Sequence, residues 1–155
     1  TALMFASLKG HGTIVEALLQ AGADIDKANN DGATALMIAS QEGHAAIVEA
    51  LLQAGADVDK ATNNGTTALI AASEKGHAAI VEALIQAGAD VDKANNDGDT
   101  ALMAASQKGH TAIVEALLQA GADVDKATNN GGTALIAASH MGHGAYRGGP
   151  PPGRG

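Results

Sequence analysis

Histidine recurs at a fixed interval of 33 residues, at His11, His44, His77, His110 and His143, and serine keeps the same step at Ser7, Ser40, Ser73, Ser106 and Ser139. Imidazoles in a column suggest metal binding or proton transfer. Equivalent residues on packed neighbouring helices lie roughly 8–10 Å apart, whereas a zinc–nitrogen bond is about 2 Å long. The column therefore cannot share one ion, and a structural role at an inter-helix turn is expected. His140 stands off the column, three residues before His143, a spacing that brings two side chains together on a helix. With no Cys in the chain and no acidic residue close by in sequence, it makes a poor metal site. The serines lack the neighbouring His–carboxylate pair that activates a hydroxyl nucleophile, so they read as small packing residues. Asp and Asn crowd the segment from Lys27 to Gly32 and suggest calcium. An EF-hand loop needs an acid at its first position and Glu at its twelfth, where this chain has Lys27 and Ile38. No phosphate-cradling glycine loop is present. These residues predict no catalytic centre, no metal and no cofactor.

What remains is the repetition that sets those columns. Thr1, Thr34, Thr67, Thr100 and Thr133 each open a near-copy of one 33-residue sentence, and the fifth copy breaks off. A period of that length marks a stacked array, in which each unit buries its apolar face against the next. In the second unit Thr34 is a natural helix N-cap, with a short helix expected to about Glu42 and Gly43 closing it in the left-handed conformation. A second helix is expected from about Ala45 to Gln53. There Ile47, Val48, Leu51 and Leu52 form an apolar stripe, while Glu49 and Gln53 face water and Gly55 ends the helix. The stretch from Ala56 to Thr66 changes character, and Asn64-Gly65 favours a tight turn with positive backbone angles. Seven aliphatics, Leu36, Ile38, Ile47, Val48, Leu51, Leu52 and Val58, are the expected core of the unit. They are too few to offset the backbone entropy of ordering it alone, so stability must come from stacking.

Composition fits an array. The chain has one Phe, one Tyr, no Trp and no Cys, and closely stacked short helices are served by Ala and aliphatics. Formal net charge is −8. The only charged residues after His143 are Arg147 and Arg154, so the array itself is more acidic still. Such a surface repels phosphate backbones and anionic lipid, and its lysines recur singly, so neither nucleic acid nor membrane is an expected partner. No apolar run approaches the roughly 20 residues that span a bilayer, and no export signal is visible at the amino terminus. An intracellular, cytoplasmic location is the expectation.

The pattern resembles the ankyrin repeat over residues 1 to 143. The family's Gly-x-Thr-Pro-Leu-His, Gly-His, Ile-Val, Leu-Leu and Gly-Ala-Asp-Val signature is represented by Gly32 with Thr34 and Leu36, Gly43-His44, Ile47-Val48, Leu51-Leu52 and Gly55-Ala56-Asp57-Val58, and recurs in phase. Two departures are systematic. Ala replaces the Pro (Ala2, Ala35, Ala68, Ala101, Ala134), and Met or Ile replaces the first His (Met4, Met37, Ile70, Met103, Ile136), exchanging a polar contact for apolar packing. The resemblance implies an all-α solenoid of helix-turn-helix units joined by β-hairpin-like loops, with repeats 1–33, 34–66, 67–99 and 100–132 and a partial fifth, 133–143. It also implies a scaffold for protein–protein interaction, whose partner lies against hairpin tips and first helices on the concave side. Carried across residue by residue, that face comprises Asn30, Asp31, Ala33, Asn63, Asn64, Thr66, Asn96, Asp97, Asp99, Asn129, Asn130 and Gly132. At the ends of the first helices it adds Leu8, Lys9, Gln41, Glu42, Glu74, Lys75, Gln107 and Lys108. These positions, with Phe5, Ile38, Ala71 and Ala104, vary most between units. Hairpins alternate between ANNDG and ATNNG, so the copied block is two units long. The face offers no Trp, Tyr or Arg anchor, so modest affinity or many polar contacts are expected.

Residues 144–155, GAYRGGPPPGRG, read as a disordered linker. Apolar residues near both ends of the array, with Met4, Phe5 and Leu8 at one of them, raise weak self-association as an alternative role. Targeting of a larger enzyme is another. An exchange of Asn63 is expected to leave folding almost untouched.

Overall fold

A computed structural model of the chain describes residues 1–140. The last three residues of the partial fifth repeat, including His143, and the linker expected at 144–155 lie outside the described residues. Nine helices run through the described part: α1 (Ala2–Lys9), α2 (Gly12–Gln20), α3 (Ala35–Glu42), α4 (Ala45–Gln53), α5 (Ala68–Lys75), α6 (Ala78–Gln86), α7 (Ala101–Lys108), α8 (Thr111–Gln119) and α9 (Ala134–His140). Odd-numbered helices stack in one row, each on the next, and even-numbered ones in a second row. The molecule is an all-α solenoid.

Each odd-numbered helix starts where its threonine predicts. The Thr34 hydroxyl accepts the Met37 N–H at 3.4 Å, and Thr67, Thr100 and Thr133 repeat the bond with Ile70, Met103 and Ile136. At the other end Gly43, at φ +84°, takes the left-handed cap and lets the His44 N–H reach back to the Ala39 carbonyl at 3.0 Å. Ala replaces the favoured Pro at the first helical position without loss of the cap, because Ala is itself the best helix former. Met4, Met37, Ile70 and Met103 are buried, the apolar exchange expected from the sequence.

The core runs along the interface between the two rows. Leu36, Ile47, Val48 and Leu51 are fully buried as expected, whereas Ile38, Leu52 and Val58 are only half-buried and pack on the core's edge. Their place is taken by Ala35, Met37, Ala39 and Ser40. Small residues let the odd-numbered helices approach closely, so the tightest packing falls on that row and not on the longer apolar stripes.

The hairpin turn differs from the sequence expectation in one respect. Gly65 has φ +84°, but Asn64 stays at negative φ, as does every non-glycine described. The turn closes from the Gly65 N–H to the Thr62 carbonyl at 2.8 Å. That is an ordinary four-residue turn with left-handed Gly at its last position, which needs no strain at Asn64.

Candidate functional site

The candidate surface begins with the hairpins, and their two sequences are held by two different side chains. In the ANNDG type the Asn29 carboxamide oxygen accepts N–H groups from Asp31 and Ala33, at 3.0 and 2.9 Å, and Asn95 does the same for Asp97 and Asp99. In the ATNNG type the Thr62 hydroxyl accepts the Thr66 N–H at 3.0 Å and donates to the Asn64 carboxamide oxygen. Asn and Thr thus alternate in one job, folding the backbone back on itself. Successive hairpins are then stitched together. The Asn63 N–H donates to the Asp31 carbonyl at 2.8 Å and its side-chain amide to the Asn30 carbonyl at 2.8 Å. Asn96 and Asn129 repeat both bonds one and two units on. Asn63, Asn96 and Asn129 are exposed, yet their amides tie one hairpin to the one before. The side-chain bond to Asn30 gives Asn63 a structural role that the sequence did not show.

Three members of the histidine column are also committed. The Nε2 atoms of His44, His77 and His110 lie 3.2, 3.0 and 3.1 Å from the carbonyls of Leu8, Gln41 and Glu74, at the ends of the preceding odd-numbered helices. A carbonyl only accepts, so Nε2 carries the proton in each. The rings rest on the cap glycines of those helices, where a Cβ on Gly43 would come within 2.7 Å of His77. Among the described residues no three His, Cys, Asp or Glu gather to hold a metal.

Asn30, Asp31, Gln41, Glu42, Asn63, Asn64, Glu74, Lys75, Asn96, Asp97, Gln107, Lys108, Asn129 and Asn130 are exposed; Ala33, Thr66, Asp99 and Gly132 are half-buried. The structure brings one group of them together. Asp99, Gln107, Asn130 and Gly132 line a cavity of about 460 Å³ between the last described hairpin and α7 and α9. Asp97, Asp99, Asn129 and Asn130 line a second concavity beside it. Sequence reading missed the cavity's other walls: Met103, Ile136 and Ala137 on the helices, Thr128 and Thr133 on the hairpin, and His140 at the rim. Met103 and Ile136 stand where the first His of the motif would, and that substitution was the available signal.

Comparison with known families agrees with this architecture. A model of ankyrin repeats in three copies matches residues 3–95 and 88–146, so the chain belongs to the ankyrin-repeat family. Ankyrin repeats are generally protein–protein interaction modules. No individual curated protein matches significantly. Among the described residues no helix is long and apolar enough to cross a membrane.

Proposed function

We propose that the chain is a protein-docking scaffold whose partner lies against the hairpin tips and the ends of the odd-numbered helices. The observation that carries this reading is where the copies differ. The even-numbered helices are near-identical, with IVEAL in all four, while the hairpin position reads Ala33, Thr66, Asp99, Gly132 and the helix-end position reads Leu8, Gln41, Glu74, Gln107. These variable positions are solvent-accessible, and three of them, Asp99, Gln107 and Gly132, line one cavity. An array acting by binding and not by catalysis fits the committed imidazoles and the buried serines, and its acidity disfavours phosphate backbones. A randomised twelve-residue peptide library displayed on phage would test the reading, with bound peptides located by hydrogen exchange on the whole chain. Protection at residues 29–33, 62–66, 95–99 and 128–132 is expected; protection confined to α4 and α6 would overturn it.

Exposed apolar side chains on α1, α2 and α9 favour a second role, weak association of copies. Leu135 is 58 % exposed, whereas its equivalent Leu102, covered by neighbouring helices, is 3 % exposed. Phe5 on α1 and Ile14 on α2 are exposed as well. Light scattering over a concentration series should show growth if this role is real, and a constant mass would dismiss it.

A further inference from the structure

We infer that the cavity beside Asp99 receives a long cationic side chain, Arg or Lys, from the docked partner. The inference rests on the docking reading and specifies the chemistry of its partner. Asp99 is the only acid at its hairpin position, the other units carrying Ala33, Thr66 and Gly132. It is half-buried, and its hairpin is fixed through backbone groups: the Asp99 N–H donates to the Asn95 side chain and its carbonyl accepts the Asn95 N–H at 2.9 Å. The side chain is not needed to hold the turn. Among the described residues, neither this cavity nor the adjoining one, which Asp97 also lines, has a Lys or Arg among its walls. Lys93 donates to the Asp59 carbonyl at 2.6 Å and Lys126 to the Asp92 carbonyl at 2.7 Å, while Lys108, next to Gln107, is exposed and lines neither cavity.

Shape selects within the cations. Met103, Ile136 and Ala137 give apolar walls for a methylene stem, while Asp99, Gln107 and Asn130 supply oxygens for the head. A side chain with a greasy stem and a cationic tip matches that order of surfaces, and a guanidinium can meet several of those oxygens at once. Along the row the groove position changes from Phe5 and Ile38 to Ala71, Ala104 and Ala137. Alanine at this position leaves room for such a stem beside Asp99.

The test is a nuclear magnetic resonance titration of the isotopically labelled full chain with the peptide acetyl-Gly-Ala-Arg-Ala-Gly-amide, in parallel with its citrulline analogue. Arg should shift amides within 97–107 and 128–140, and citrulline, equal in shape but uncharged, should bind about tenfold more weakly, the loss of one charge-assisted hydrogen bond. Asp99→Asn should cause a similar loss. Glu49→Gln, which changes net charge equally on the exposed face of α4, should not. Equal binding of citrulline, equal losses in both variants, shifts elsewhere or no shifts at all would each overturn the cationic pocket. If the phage-selected peptides still protect the hairpins, the docking face survives that failure; if they do not, both readings fall.

Discussion

Ser7, Ser40 and Ser73 are buried, and their hydroxyls have no hydrogen-bond partner. A buried donor left unmade costs about 1–3 kcal/mol, and Ala fits the same space with no polar atom. Ser40→Ala is therefore expected to stabilise the chain by about 1 kcal/mol, read as a higher melting temperature in a thermal scan. A lower one would mean the hydroxyl has a partner, such as an ordered water. The glycines give a sharper comparison. Gly65 and Gly131 share φ +84° and the same hairpin position, but a Cβ on Gly65 would meet the next hairpin at 2.9 Å from Asn95 Cα, whereas on Gly131 it meets nothing within 4 Å. Both Ala variants carry the strain of a left-handed residue, about 1 kcal/mol. Gly65→Ala should lose clearly more in urea denaturation, because it also parts two hairpins. Equal losses would show that the hairpin stitch is not a source of stability.

At the scale of elements, burial is shared between units. Leu51 is fully buried in α4, which packs against α3 within its unit and against α2 and α6 in the rows. Leu51→Ala should cost about 2–5 kcal/mol. The loss should appear as faster hydrogen exchange in α2 and α6 as well as α4, since nearest-neighbour interfaces hold the array. Exchange confined to residues 34–66 would contradict that coupling. The helices were legible in the sequence because their signals are local: the Thr caps, the Gly stops and the Ile-Val, Leu-Leu stripe all act within one unit. What the sequence hid was contact across 33 residues. Nothing within ATNNG says that the Asn63 amide serves the preceding hairpin, or that Met37 outranks Ile38 in burial, until two units are set side by side. The candidate site shares that fate. Asp99 was legible as a variable position, but its cavity exists only where hairpin and helices from successive units meet.

The whole molecule carries its acid in rows. Asp24, Asp26, Asp57, Asp59, Asp90, Asp92, Asp123 and Asp125 recur in the loops that follow the even-numbered helices, and each link is tied by an N–H to carboxylate hydrogen bond. Asp59 N–H donates to the Asp57 carboxylate at 3.0 Å, and Asp90 N–H in the next unit donates to the Asp59 carboxylate at 2.9 Å. The bonds favour the stacked form while the charges oppose it. Salt separates these two effects. A carboxylate one hydrogen-bond length from an N–H is little screened, whereas like charges one repeat apart, roughly 10 Å, stand at about the Debye length of 0.1 M salt. Raising sodium chloride should weaken the repulsion more than the bonds, and the net charge of −8 adds to the same trend. The melting temperature is expected to rise by a few degrees between about 0.05 and 0.5 M salt. A fall would show that the paired backbone dipoles and lysine contacts, and not the repulsion between rows, dominate the electrostatics of the array.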